Sequence, residues 1–123
     1  MLAVTPPWAV EFYEDDEEGC PVQDFLDGFD KPRRAKVLAV IRLLQEEGPT
    51  LPFPYSSQVR GKIRELRTQY GKEHYRVLYF GAPGRLFVLL HALEKRTGKL
   101  LERDIRIAED RMTRYLKRQE RDS

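Results

Sequence analysis

The stretch Ile63 to Phe80, IRELRTQYGKEHYRVLYF, can bring two arginines to one point on a β-hairpin. With Gly71-Lys72 at the centre of a type II′ turn, which takes glycine first, Tyr70 pairs with Glu73 and Arg67 faces Arg76. Opposed side chains of an antiparallel pair lie close together on one sheet face, where like charges repel. Two guanidiniums side by side therefore make a seat for an anion, and phosphate matches their forked N–H donors. The alternative is that each arginine pairs with a nearby carboxylate, such as Glu65 or Glu73, on a solvated face.

A second turn over residues 81–84 would pair Phe80 with Arg85, Arg76 with Leu89 and His74 with His91. Arg67, Arg76, His74, His91 and Gln69 then share one sheet face. Neighbouring histidines can bind zinc, but no third ligand stands nearby, so no metal and no cofactor is expected. Lys95, Arg96 and Lys99 lie at the mouth of the same face and extend a phosphate-binding surface, with Arg60 and Lys62 at its other end. Arg64 points to the opposite face by strand alternation. Tyr70, Tyr75, Tyr79 and Phe80 interleave with these charges, and a ring beside a guanidinium is a common way to hold an unpaired RNA base. Tyr79 and Phe80 are better read as core.

No Ser-His-Asp or Cys-His arrangement, glycine-rich phosphate loop or metal-ligand motif is present. A cation-rich face with a few proton-moving groups is sufficient to cleave RNA without a metal. The substrate's own 2′-hydroxyl is the nucleophile, and the protein stabilises the phosphorane and assists proton transfer.

The elements that must position these residues follow from pattern. WAVEFY (Trp8 to Tyr13) reads as a strand, and Asp15 to Gly19 as an acidic turn. Pro21 opens a short helix to about Phe29 with Val22, Phe25, Leu26 and Phe29 on one side. Asp30 caps a second helix, Val37, Val40, Ile41 and Leu44 form its buried stripe, and Gly48-Pro49 ends it. TLPFPY (Thr50 to Tyr55) is an extended connector. After the hairpin, RLFVLLHAL (Arg85 to Leu93) is a further strand, and Leu101 to about Lys117 is a helix with Leu101, Ile105, Ala108, Met112 and Leu116 as its stripe. The tail beyond Lys117 should fray. Strand, two helices, three consecutive strands and a helix make an α+β fold: a mostly antiparallel sheet with helices on one face and part of the other face open.

At 123 residues the chain is expected to be one domain, with its core over about residues 8 to 117. The net charge of +2 conceals a division. Residues 1–30 hold nine acids and no Lys or Arg, leaving 22 bases against 11 acids in the remainder. Such a chain can turn a basic face to a polyanion while staying near neutral overall. Cys20 is alone and sits among acids, which keep its thiol protonated. The longest apolar run, Leu86 to Leu90, is far too short to span a membrane, and no signal peptide is evident. A soluble, cytoplasmic protein is the expectation.

Four segments resemble the phage-derived HigB-like branch of the RelE/ParE toxin superfamily, the mRNA interferases of type II toxin–antitoxin pairs. They are PVQDFLDGF (Pro21 to Phe29), ELR (Glu65 to Arg67), YRVLYF (Tyr75 to Phe80) and LLHALEKRTGK (Leu89 to Lys99). IAEDRMTRYL (Ile107 to Leu116) fits the spacing of the family's last helix. The resemblance implies a RelE-like fold, ribosome-dependent cleavage of mRNA and a cognate antitoxin, of helix-turn-helix or acidic type. It places Arg67 and Arg76 at the basic positions of the active face, as a clamp on the scissile phosphate. Lys95 matches the first of a usual lysine pair and Arg96 replaces the second, where both would neutralise transition-state charge. Leu93 stands where an aromatic is usual. His91 is the first choice for proton transfer and Tyr115 the second, while Lys62, Gln69, Tyr70, His74, Arg96 and Lys99 would bind RNA. Two rivals use the same face, a catalytically silent RNA- or ribosome-binding module and a surface for an acidic antitoxin segment.

Overall fold

The structure, a computed structural model, describes residues 5–95 and 98–122. These residues form an α+β fold, with three helices and a five-stranded sheet among them. The elements in chain order are β1 (Ala9–Phe12), α1 (Pro21–Asp27), α2 (Lys31–Glu47), a 3-10 turn (Gly48–Thr50), β2 (Ser56–Arg60), β3 (Ile63–Tyr70), β4 (Glu73–Ala82), β5 (Leu86–Glu94) and α3 (Glu102–Asp122). Spatial order in the sheet is β1-β5-β4-β3-β2, with β1 parallel to β5 and every other pairing antiparallel. No helix among the described residues is long and apolar enough to cross a membrane.

Local chemistry accounts for the helix ends. Asp30 Oδ1 accepts from the Arg33 N–H at 3.2 Å, and Pro32 occupies the first turn of α2, where its missing donor costs nothing. Gly48 stops α2 with φ of +62°, a left-handed conformation that glycine adopts without a Cβ clash. The expected stripe of Val37, Val40, Ile41 and Leu44 is buried in full.

Both sheet faces are covered, which corrects the expectation of helices on one face only. Helices α1 and α2 pack with Leu66, Tyr75, Val77, Tyr79 and Leu89 on one side. Helix α3 packs with Ile63, Leu78, Phe80, Val88 and Leu90 on the other. A strand was also overlooked: Ser56–Arg60 pairs with β3 although SSQVR shows no apolar alternation, because Ser56 is buried through a 2.7 Å hydrogen bond to the Tyr79 hydroxyl. Nor does the last helix fray after Lys117, since it continues to Asp122. Its buried line is Asp104, Ala108, Arg111 and Tyr115, while Leu101 is exposed.

The β4–β5 register departs from the simple count. Ala82 pairs with Leu86, so the connection is Pro83-Gly84-Arg85, and a bulge falls between Leu78 and Tyr79. Leu78 therefore faces His91, and Tyr79 faces Leu89. Arg76 lies opposite Leu93, not Leu89, and His74 is not paired with His91. The backbone N–H of Lys95 donates to the His74 carbonyl oxygen at 2.8 Å instead.

Candidate functional site

The hairpin forms with its expected register: Tyr70 pairs with Glu73, and Arg67 with Arg76. Strand alternation sends Glu65, Arg67 and Arg76 to the α3 face, beyond the part that α3 itself covers. Glu65 relieves the repulsion between the arginines. Its Oε1 lies 3.8 Å from Arg67 Nη1 and 3.5 Å from Arg76 Nε, and its Oε2 is buried with no hydrogen-bond partner among the described residues. Arg76 is only 8% exposed, so this is not a solvated face. Glu73, the other carboxylate considered, is engaged elsewhere: Arg33 grips it from Nη2 at 2.8 Å and Nε at 3.0 Å, and the Tyr75 hydroxyl donates to it.

A cleft of about 570 Å³ is lined by this triad, by Gln58 and Val59 of β2, by Lys99 and Leu100 just before α3, and by Glu102 and Ile105 of α3. A second hollow of about 410 Å³ shares Arg67 and Arg76, and runs past Gln69, His74 and Tyr55 to Lys36 and Leu43 of α2. Phe53 is 68% exposed with the Arg67 guanidinium 5.0 Å from its ring centre. The site thus combines opposed cations, a carboxylate and an exposed ring, the parts needed to hold a phosphate and stack a base. Burial raises the proton affinity of the Glu65 carboxyl by more than the two guanidiniums lower it. Burial likewise lowers the pKa of the Arg76 guanidinium.

The remaining residues named from sequence scatter. Lys99 joins Arg67 and Arg76 in the first cleft, and Gln69 and His74 meet them in the second hollow. Lys95 is half-buried at the end of β5, beside His74. Lys62 is exposed in the β2–β3 turn. Tyr70 points to the α2 face, where the Arg33 guanidinium sits 4.7 Å from its ring centre. His91 shares the sheet face of Arg76 but is bound to Asp104 and Arg111 and does not line the cleft. Tyr115 is buried 5.8 Å from Phe80, further along β4, and burial followed by the nearby Glu11 carboxylate raises its pKa. Arg96 lies outside the described residues.

Of the other contributors, Glu65 was foreseen as an ion-pair partner of the arginines, whereas Phe53 was overlooked. Glu65 shares a face with Arg67 by the i, i+2 rule, a signal present in the ELR motif itself. Phe53 gave no local signal, since its place beside Arg67 depends on how the connector folds back.

Two acids of the first thirty residues, Asp15 and Glu18, pair with α3. Glu18 accepts from Arg111 Nη2 at 2.6 Å and from Arg114 Nη1 at 2.9 Å, and Arg118 donates to the Glu14 carbonyl oxygen. Arg60 is likewise held by Glu102 and Glu109. Arg67 and Arg76, by contrast, share the Glu65 carboxylate at longer distances.

A sequence profile of the phage-derived Gp49-like proteins matches residues 24–113. A candidate toxin of Mycobacterium tuberculosis, HigB2, is 30% identical over 102 residues, covering 77% of this chain and 51% of the relative. The chain thus spans about half the length of the curated relative it matches. The profile encloses the ELR hairpin, both cleft walls and most of α3. On this match the chain belongs to the phage-derived Gp49-like family, and is HigB-like as its motifs implied.

Proposed function

We propose that this protein is the toxin of a type II toxin–antitoxin pair and acts as a ribosome-dependent, metal-independent mRNA endonuclease. The observation that carries the reading is Arg67 facing Arg76 across the β3–β4 ladder at the edge of an open cleft. Two guanidiniums on one face can bind a phosphodiester and stabilise the extra negative charge of a phosphorane. The 2′-hydroxyl of the preceding nucleotide attacks the phosphate held there. Lys99 lines the cleft and adds positive charge there. The ribosome presents the mRNA in extended form to this cleft. The membership of a toxin-like family and the name of the mycobacterial relative support the toxin role and a cognate antitoxin as partner.

One observation favours a second reading. Glu65 stands between the two arginines and competes with any phosphate, as would suit a module that binds ribosomal RNA or mRNA without cutting it. The two readings separate on induced expression in a bacterial host followed by mapping of mRNA 5′ ends. New ends inside translated frames, absent when translation is blocked and absent for folded Arg67→Ala or Arg76→Ala, are expected. Intact mRNA beside soluble, folded protein would select the silent module.

A further inference from the structure

We propose that Glu65 is the general base of the cleft, the carboxylate that takes the proton from the attacking 2′-hydroxyl. This rests on the ribonuclease reading above and names the group that reading leaves open.

Three observations carry it. First, Glu65 is underpaired. Its approaches to Arg76 and Arg67 are 3.5 and 3.8 Å, whereas other ion pairs of the same molecule close to 2.8 Å (Arg33–Glu73) and 2.6 Å (Arg111–Glu18). Secondly, its Oε2 is sealed from solvent without a partner among the described residues, an arrangement that costs stability unless something is held there in the working state. Thirdly, the cleft offers few rivals among the described residues. Of the other ionisable groups lining it, Arg67, Arg76 and Lys99 are cations, and Glu102 is occupied by Arg60 and Arg106. Strand β2 contributes only the uncharged Gln58 and Val59.

The same arrangement supplies the driving force. A phosphodiester docking on Arg67 and Arg76 competes with Glu65 for the two guanidiniums and sets a second anion beside it. Both changes raise the carboxylate's proton affinity, adding to the upward shift that burial already imposes. The base strengthens as the 2′-hydroxyl arrives. The O2′–P bond then forms while the P–O5′ bond breaks, and the 2′-hydroxyl proton passes to Glu65. The 5′-oxygen leaves with the electron pair and takes a proton from water. The products are a 2′,3′-cyclic phosphate and a 5′-hydroxyl, with no change of oxidation state.

The test is cleavage of mRNA on programmed ribosomes by the wild-type protein, Glu65→Gln and Glu65→Asp, with kcat and KM followed across pH. Glu65→Gln should lower kcat by about 100-fold or more, leave KM little changed and abolish the acid limb of the pH profile. It should also bind inorganic phosphate at least as tightly as wild type, because a competing anion has gone. Cleavage by Glu65→Gln at the wild-type rate, or a raised KM with kcat intact, would overturn the base role while leaving the ribonuclease reading standing. Failure of the wild type itself to cut would bring down that reading and this inference together. Should Glu65→Gln fail to fold, Glu65→Asp decides: it should cut slowly and keep the acid limb, and wild-type cleavage would sink the proposal.

Discussion

His91 Nε2 lies 2.9 Å from Asp104 Oδ1, tying β5 to the first turn of α3. On the other side of the ring, Arg111 Nη1 reaches Nδ1 at 3.3 Å and the Leu90 carbonyl oxygen at 2.8 Å. A guanidinium can only donate, so Nδ1 accepts and the ring proton sits on Nε2, donated to Asp104. The histidine fastens the helix that forms one wall of the cleft. His91→Ala leaves Asp104, 8% exposed, without this donor, and should cost about 1–3 kcal/mol. The measurement is the urea midpoint. A matching loss in Asp104→Ala, with a double variant no worse than either, would identify the pair as one unit.

Phe53 should act as a stacking platform for a base whose phosphate sits on Arg67. Phe53→Ala is expected to weaken binding of a short single-stranded RNA by about 1–3 kcal/mol, roughly 5- to 150-fold in Kd. Phe53→Trp should hold or tighten it. Because the ring is largely exposed, neither change should move the melting temperature. Fluorescence anisotropy with a labelled oligonucleotide decides, and equal affinity for Ala and Trp would remove the ring from the interface.

Acid should loosen the acidic turn first. Hydrogen bonds from Arg111 hold Glu18, and from Tyr13 hold Asp15, below their usual carboxylate values. Groups depressed in this way contribute stability that is present above the unfolded values and is lost as pH falls through the folded ones. Glu65, raised by burial, has the opposite sign: its contribution is full below the unfolded value and is lost as pH rises through the folded one. Glu18→Gln should therefore cost about 1 kcal/mol near neutral pH, and the gap from wild type should close as Glu18 protonates. Thermal melts at a series of pH values check this.

Gly48 should tolerate no side chain. A Cβ there would overlap the Trp8 indole, and the residue's φ of +62° is strained for any L-residue with a side chain. Gly48→Ala is expected to destabilise by more than about 2 kcal/mol, with loss of the near-ultraviolet signal of Trp8.

The hairpin was legible because Gly71-Lys72 fixes its count from both sides, and the facing of Arg67 and Arg76 follows by arithmetic. The next turn could not be counted in the same way. Arg85 takes φ of +56°, a conformation its residue type does not advertise, and nothing local marks the bulge that sets Leu90 and His91 on the same face. Helix α2 was readable from a clean apolar period, whereas α3 turns Asp104 and Arg111 inward. Their partners, His91, Leu90 and Glu18, come from distant parts of the chain, so no helical window contains the reason for their burial. Strand β2 escaped notice for a similar cause, since its buried Ser56 is paid for by a tyrosine on β4.

The contacts that close this molecule join its first strand to its last elements. Ala9 pairs with Leu86 in the parallel β1–β5 ladder, and Glu18 meets Arg111 across 93 residues. Contacts so distant in sequence form late, because chain-closure entropy opposes them until the intervening elements are in place. During synthesis the hairpin bearing Arg67 and Arg76 is made before α3, which carries part of the facing cleft wall. Until α3 has been made, Arg67 and Arg76 stand on a hairpin whose facing cleft wall is missing, so the cleft is a product of the finished fold and not of the hairpin alone.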